Sequence, residues 1–381
     1  MNSKSWRTAF VPIMVCCGIG ALILLAVTGY FDKPMGDAKP PGQPIGPGSH
    51  LQKTAVVPTL DTPMVDGQSA IWCASFQMAW DKLKEANTGR VEIRNAEAVT
   101  ERLNRARVSE TDLRAEDNFA AAGTVSKTFL ASLKRDFTHR FPDIDPPELE
   151  IPENALAAFA FLSVKVPWRY EFHDNPVPLR FMYAGSSGTS VRSFGVLEKD
   201  SNKDAEGKTF RGQAAILLWE ADEKDEANFA IDLCRHSTPY QVVLARIAKK
   251  ATLADTLNDL NDRMQKKPRN DKIGDEDSLL VPCMDWRLEH EFKELEGNEK
   301  VVANGPMAGL WLASARQKIQ FRLDRRGAEV ASEATVFLLD GGPHQFHFDR
   351  PFLLYVKKRD AQQPFLVVWV ENDELLQPWR K

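Results

Sequence analysis

The stretch that decides the fold is residues 318–334, which read KIQFRLDRRGAEVASEA. Its first half alternates between apolar and polar residues, as is typical of a β-strand with one buried face. The apolar side chains are Ile319, Phe321 and Leu323, and the polar ones are Gln320, Arg322 and Asp324. From Gly327 onward the residues are small or acidic. The stretch therefore predicts a strand that runs directly into a loop.

Further strands are predicted on both sides of this stretch. Phe352–Val356 and Phe365–Val370 are very apolar and flank a polar tip, which indicates a β-hairpin whose arms lie centrally in a core. Ala155–Val166 is almost continuously apolar, as expected of a strand covered on both faces. The other segments with strand character are Trp168–Phe172, Leu179–Tyr183, Val191–Leu197, Gln213–Trp219, Asn228–Cys234, Gln241–Ile247 and Trp286–Phe292.

Three helices are predicted from apolar residues at helical spacing. Residues 88–118, in contrast, are polar and rich in charge, and we interpret them as a loose or surface-lying region. A few helices followed by mixed or antiparallel strands define an α+β fold class. The helical stripes are Trp72, Phe76, Ala79 and Leu83; Phe129 or Leu130, Leu133, Phe137 and Phe141, ended by Pro142; and Leu253, Leu257, Leu260 and Met264, capped by Thr252.

The N-terminus carries a predicted membrane anchor. Residues 8–31 contain no charge, and 24 residues at about 1.5 Å each would cross the roughly 30 Å hydrocarbon core. Lys4 and Arg7 precede the run, so the N-terminus is expected in the cytoplasm and the body outside a cell membrane crossed once. A cleaved signal peptide, giving a secreted protein, is the alternative. The predicted organisation is residues 1–31 as stub and anchor, 32–66 as a Pro/Gly-rich linker and 67–381 as one globular domain.

Composition excludes several classes of function. The chain of 381 residues has 49 Lys and Arg against 53 Asp and Glu, a net charge of −4, which argues against nucleic-acid binding. Five cysteines cannot form the disulfide framework of a small secreted domain. His344 and His347 are expected on opposite faces of an extended segment, so we predict no metal site, and no motif predicts a cofactor.

A hydrolase triad is the enzyme alternative that the sequence raises. Ser186 and Ser187 lie near His173 and Asp174 in the chain. The strand–nucleophile–helix context that such a serine needs is missing, and a hairpin turn accounts for the glycines that flank the two serines. We therefore predict that the protein is not an enzyme and has no catalytic residue.

Three C-terminal segments resemble the serpin family. Gln317–Ala331 is similar to the strand that enters the hinge of the serpin reactive loop, Phe348–Val356 to the start of the C-terminal strand, and Phe365–Glu371 to the last strand. Glu153–Leu156 with Trp168–Phe172, and Leu279–Met284, resemble further serpin motifs. The resemblance covers about residues 120–378.

The resemblance implies a serpin-like fold, with several N-terminal helices packed on mixed and antiparallel sheets and a C-terminal reactive-type loop. The serpin motif that opens the N-terminal helices has no counterpart between residues 70 and 120, and the glycine of F-x-G-x-W is absent. A reduced or altered N-terminal part is therefore expected.

The resemblance also implies a functional loop. An inhibitory serpin inserts its cleaved loop into its main sheet, which buries every second hinge residue, so those residues must be small and uncharged. Glu329, Ala331, Glu333 and Thr335 would then face solvent. The predicted hinge residues are Gly327, Ala328, Val330, Ser332 and Ala334, and the candidate scissile region is Leu338, Leu339, Asp340, Gly341 and Gly342.

Two functions follow from these observations. The first is a membrane-anchored, extracytoplasmic suicide-type inhibitor whose partner is a serine or cysteine protease. The second is a non-inhibitory serpin-fold protein, used as a binding or surface module, which the altered N-terminal part and a tight turn at Asp340–Gly342 favour. The pattern of the hinge residues permits insertion, whereas a loop that is only a hairpin would trap no protease.

Overall fold

The structure is a computed structural model that describes residues 51–109, 112–147, 151–152, 155–163, 166, 168–197, 210–221, 227–327 and 344–380. Its helices are α1 (Ala74–Ala86), α2 (Glu97–Arg105), α3 (Lys127–Arg140) and α4 (Leu253–Lys266). Its strands are β1 (Thr54–Val56), β2 (Ser69–Cys73), β3 (Asn118–Thr124), β4 (Leu156–Ser163), β5 (His173–Asp174), β6 (Leu179–Phe181), β7 (Thr189–Val191), β8 (Ser193–Val196), β9 (Ala215–Glu220), β10 (Asn228–Asp232), β11 (Tyr240–Arg246), β12 (Asp271–Lys272), β13 (Ser278–Pro282), β14 (Met284–Glu291), β15 (Leu312–Leu323), β16 (Gln345–His347), β17 (Phe352–Lys358) and β18 (Leu366–Val370).

The largest sheet has eight strands, in the order β1-β2-β18-β17-β11-β10-β9-β12. The predicted hairpin of β17 and β18 is confirmed and lies near its centre. Leu353, Leu354 and Val367 are fully buried, because both faces of these strands are covered.

A four-stranded sheet, β14-β15-β4-β3, carries the strand that leads to the predicted loop. Its two central strands, β15 and β4, are parallel, whereas both outer pairings are antiparallel. A second four-stranded sheet has the order β16-β13-β8-β5, and β6 pairs only with β7 in a small hairpin. These helices and mixed sheets confirm the α+β prediction.

Two apolar clusters hold the sheets and helices together. The larger cluster lies between the eight-stranded sheet and one face of β14-β15-β4-β3, and it includes the buried stripe of α1. The smaller cluster lies on the other face of that sheet, where α3 covers β3 and β4. Strand β4 is therefore buried on both faces, as its continuous apolar sequence predicts.

Three predictions about secondary structure differ from the structure. Trp72 belongs to β2 rather than to the first helix, which starts at Ala74. The prediction extended the helix too far because Trp72 lies four residues before Phe76 and so fits the spacing of the helical stripe. Residues 168–172 form no strand; the side chain of Gln213 bonds both the N–H and the C=O of Tyr170 instead. Residues 88–118 contain α2, which Leu103 fixes to the core at full burial.

The predicted membrane anchor and residues 32–50 lie outside the described residues. Within the described ranges, no helix combines the length and apolarity that a membrane span requires. Strand β1 falls inside the segment assigned to the linker, residues 32–66, and pairs in parallel with β2 of the body. Residues 54–56 of the predicted linker are therefore part of the largest sheet.

Candidate functional site

The centre of the candidate site is the seam between the parallel strands β15 and β4. Their register runs from Leu312 opposite Leu156 to Gln320 opposite Ser163, with an irregularity between Leu312 and Ser314. Parallel pairs are slightly less stable per residue than antiparallel ones. A chain that turned back from the end of β15 would be antiparallel to both strands, so it could separate one parallel pair and form two antiparallel ladders.

Beyond β15, the chain makes a tight turn at Asp324–Gly327. The N–H of Gly327 donates to the carbonyl of Asp324, 3.4 Å away, which closes a four-residue turn. The Asp324 carboxylate accepts the N–H of Arg326 at 2.8 Å. The last residue of this turn, Gly327, is the first residue of the predicted hinge, and the turn directly follows the central strand β15.

The turn is held by the segment 168–172. The indole N–H of Trp168 donates to the carbonyl of Asp324 at 2.8 Å, and the N–H of Phe172 donates to the carbonyl of Arg325 at 2.9 Å. The Arg325 guanidinium pairs with Glu171 at 2.6 Å. These three contacts fix the position at which a loop would leave the sheet.

Gly327 is required by the close approach of Trp168. A Cβ atom at position 327 would lie 2.4 Å from the indole ring, which no side chain tolerates without a shift. The glycine that the sequence assigned to the hinge thus has a local steric reason in this structure.

The far end of the loop is held at His344. The carboxylate of Asp277 accepts the His344 N–H at 2.7 Å and lies 3.0 Å from its Nδ1. The other oxygen of Asp277 accepts the N–H of Gly274, and the buried Arg211 donates to the Asp277 carbonyl at 2.7 Å. Strand β16 then pairs in parallel with β13.

A buried polar group lies beneath the seam. Gln317, on the core face of β15, donates from Nε2 to the carbonyl of Cys73 at 3.1 Å and to Oγ of Ser75 at 2.9 Å. Its Oε1 atom and the hydroxyl of Ser314 are buried without a hydrogen-bond partner. An unsatisfied buried polar atom costs about 1–3 kcal/mol, so this part of the core retains unused bonding capacity.

The outer face of β15 carries charge. Lys318 lies 3.3 Å from Glu289, and Arg316 lies 2.9 Å from Glu291, both on the neighbouring strand β14. Arg322 continues the row toward the turn and pairs with Asp324. A strand inserted at the seam would place its outward side chains next to this basic row.

Of the predicted site residues, Gly327 lies within the described ranges, at the end of the turn that follows β15. The other predicted site residues, Ala328, Val330, Ser332 and Ala334 of the hinge and Leu338–Gly342 of the scissile region, lie outside the described residues, so these assignments stay predictions. The sequence did not predict the anchoring roles of Trp168 and Asp277. Trp168 lies in a segment that resembles a serpin motif, and this resemblance could have indicated its role. Nothing in the sequence indicated the role of Asp277.

The reactivity of the cysteine thiols is set by their burial. The Cys73, Cys234 and Cys283 thiols are buried, and burial raises the pKa of Cys73 to about 11 and that of Cys283 to about 12. They are therefore neutral and poor nucleophiles.

Two residues behind the enzyme alternative, Ser186 and Asp174, are held in local contacts. The hydroxyl of Ser186 accepts the N–H of Gly188 inside its turn, and Asp174 pairs with Arg192 at 3.2 Å. No cluster of three His, Cys, Asp or Glu side chains suited to a metal occurs in the described ranges. The absence of enzyme activity stays a prediction.

Comparison with solved structures identifies serpins as similar in fold. Protease nexin-1, solved with heparin, is 9% identical, with a TM-score of 0.47 over 78% of this chain and 97% of that chain. Serpin48 of the insect Tenebrio molitor is 12% identical, with a TM-score of 0.45 over 80% and 92%. Human glycosylated kallistatin is 11% identical, with a TM-score of 0.48 over 81% and 92%.

These similarities are to the family that the sequence motifs resemble, and they concern the fold rather than an activity. No protein-family model matches the chain, and no curated protein matches it.

Proposed function

We propose that the protein is a serpin-like inhibitor that traps a serine or cysteine protease by inserting its cleaved loop at the seam between β15 and β4. The observation that carries this proposal is the central parallel pair, whose β15 member runs directly into the turn at Asp324–Gly327. Cleavage of the loop would free its first half, and the turn at Asp324–Gly327 would let that half run back along β15.

The turn sets a register for the inserted strand. If Asp324 and Gly327 are the last pair of a two-residue hairpin, then Ala328 lies opposite Leu323, and each further residue follows in step. The even-numbered residues share a face with the core-facing side chains of β15. These pairs are Ala328 with Leu323, Val330 with Phe321, Ser332 with Ile319 and Ala334 with Gln317.

The residues of this register suit both faces. The buried set is small and uncharged, so it meets no large desolvation cost. Its one hydroxyl, on Ser332, would lie diagonal to Gln317, whose Oε1 lacks a partner. On the outer face, Glu329 falls opposite Arg322 and Glu333 opposite Lys318. Opposite charges in such cross-strand pairs stabilise a sheet by about 0.2–1 kcal/mol each.

The insertion test is a comparison of melting temperatures in the full-length protein. Cleavage between Val336 and Pro343 should raise the melting temperature by something on the order of tens of degrees, because a whole strand joins the sheet. Ala328→Arg should abolish the rise, since the register buries that position. Ala331→Arg, the matched control on the outer face, should retain it.

Each outcome of this test has a distinct meaning. A wild-type protein that gains no stability on cleavage contradicts insertion. A rise that survives Ala328→Arg means that this register is wrong. Where insertion is shown, trapping is then tested by incubation with serine and cysteine proteases and scoring for covalent complexes.

A non-inhibitory binding or surface module is the second candidate. The observation that favours it is the tight-turn sequence at Asp340–Gly342, which is typical of an ordinary hairpin. That function predicts a loop whose cleavage leaves the melting temperature unchanged. The same measurement therefore separates the two candidates.

A further inference from the structure

Two half-buried arginines, Arg169 and Arg235, have no carboxylate partner within the described ranges. The guanidinium of Arg169 lies over the ring of Tyr170, 5.3 Å from its centroid. Glu171, the acid closest to Arg169 in the sequence, pairs instead with Arg325 at 2.6 Å. A positive charge that is partly withdrawn from water costs free energy unless an anion compensates it. The two arginines therefore leave a positive charge without its counter-charge.

Contacts through Gln213 bring the two arginines together. The side chain of Gln213 bonds the N–H and the C=O of Tyr170, the residue after Arg169, at 3.1 and 2.8 Å. Its backbone carbonyl accepts the N–H of Arg235 at 2.9 Å. Gln213 is 1% exposed, so the junction that it makes is part of the core. One buried residue thus holds both of the backbone segments that carry the arginines.

The neighbouring His236 reports the electrostatic potential at this place. Burial lowers the pKa of His236, and the positive charges of Arg235 and Arg169 lower it further. The carbonyl of Gly212 opposes this shift, and Arg359 adds a smaller lowering. None of these causes is a carboxylate, so the potential around the His236 ring is positive. Both arginines act on one ring, which places their charges in a common region.

Asp232, a buried acid of the same region, is already paired. Its carboxylate lies 3.0 Å from the guanidinium of Arg359 and accepts the side-chain amide of Gln241 at 3.1 Å. Asp232 is 2% exposed, so this pair is closed to a further cation. The charges of Asp232 and Arg359 therefore cancel, and those of Arg169 and Arg235 remain.

We propose that Arg169 and Arg235 form a binding site for a tetrahedral oxyanion, phosphate or sulfate, with His236 at its edge. A guanidinium presents a rigid fork of N–H donors that matches the oxygens of such an anion. Two guanidinium groups balance the charge of a dianion, which also removes the repulsion between them. The site does not depend on protease trapping.

The test follows the His236 ring by NMR in the full-length protein carrying ¹³C-labelled histidine, with His236→Gln to assign its signal. The pH is titrated in inorganic phosphate, in sulfate and in chloride at equal ionic strength. A bound dianion offsets the two arginine charges, so the pKa of His236 should be about one pH unit higher in an oxyanion than in chloride.

The variants test which residues hold the anion. Arg235→Gln should weaken oxyanion binding about tenfold, measured from the concentration dependence of the His236 signal, because charge-assisted hydrogen bonds are lost. The matched control is Arg94→Gln, which removes the same charge at an exposed arginine, and it should bind as the wild type does. Arg169→Gln is the second variant, and it should weaken binding as Arg235→Gln does.

The outcomes separate the possible ligands and the failure of the proposal. A response to one oxyanion alone supports the site and identifies that anion as its ligand class. A His236 pKa that is the same in phosphate, sulfate and chloride would overturn the proposal. Folded Arg235→Gln or Arg169→Gln protein that binds as tightly as the Arg94→Gln control would overturn it as well, since the anion would then lie elsewhere.

Discussion

The outer face of the sheet β14-β15-β4-β3 consists of two unlike halves that meet at the seam. On β3 and β4, aromatic rings lie under α3: Phe137 has its ring centroid 5.4 Å from that of Phe119 and 5.3 Å from that of Phe161. On β14 and β15, ion pairs such as Lys318 with Glu289 lie partly exposed. One half is held by burial and the other by charge.

This difference shows what a strand inserted at the seam would meet. On one side its outward residues would lie beside the buried rings of Phe159 and Phe161, and on the other beside the basic row of β15. Helix α3 packs on the aromatic half only, so the charged half leaves one side of the seam uncovered. The sequence of the loop, with acidic residues alternating with small ones, fits this boundary.

The largest effect is expected from the aromatic half. Phe137→Ala should lower the free energy of unfolding by about 3–5 kcal/mol, because a 1% exposed ring with four aromatic neighbours is lost and a cavity remains. Lys318→Ala on the charged half should cost less than about 1 kcal/mol. Denaturant unfolding of the two variants measures both values. Equal losses would mean that the two halves are not stabilised differently.

The sequence predicted this division in part. Alternation over Trp286–Phe292 and Lys318–Asp324 indicated two half-buried strands, and continuous apolarity at Ala155–Val166 indicated one covered on both faces. The second predicted helix, with the stripe Leu133, Phe137 and Phe141, corresponds to α3. What alternation cannot supply is which strands are neighbours, so the parallel pairing of β4 and β15 emerged only from the structure.

The candidate site was less predictable for the same reason. Gly327 could be assigned from its motif, but its steric cause is Trp168, which is distant in sequence. The hydrogen bond from the N–H of His344 to the carboxylate of Asp277 joins residues 67 positions apart. Gln317 is polar within an alternating strand, yet its partners Cys73 and Ser75 lie at the start of α1. Such contacts depend on tertiary packing, which leaves no local pattern.

A second effect, of intermediate size, is a pH dependence that arises on the core side of β14, behind the charged half. His290 faces the core side of β14, and burial lowers its pKa to about 4, with Glu291 opposing and Lys293 adding to the shift. Above pH 6.5 the ring is mostly neutral in both the folded and the unfolded protein, so it adds little pH dependence to the free energy of unfolding. As the pH falls from 6.5 toward 4, the unfolded chain takes up a proton that the folded protein does not, so stability falls.

The measurement is urea unfolding at pH 7 and pH 4.5 for the wild type and His290→Gln. The wild type should lose roughly 2 kcal/mol more than the variant between these two values. Carboxylates titrate over the same range in both proteins, so the difference isolates the histidine. Parallel losses in the two proteins would contradict burial of a neutral ring at position 290.

The smallest effect tests whether the charged half receives the loop in the register set by the turn. Lys318→Glu places a carboxylate opposite Glu333 after insertion, so the melting temperature of the cleaved protein should fall by about 1–2 °C. Adding Glu333→Lys should restore it, because the pair is then reversed. The matched control combines Glu333→Lys with Lys82→Glu, a change at an exposed lysine on α1 that keeps the same net charge. The melting temperature of this cleaved control should stay below that of the cleaved wild type, because Lys318 then faces a second lysine. If the cleaved double variant Lys318→Glu, Glu333→Lys melts no higher than this control, Lys318 does not face Glu333. This conclusion is independent of whether the cleavage experiment shows insertion.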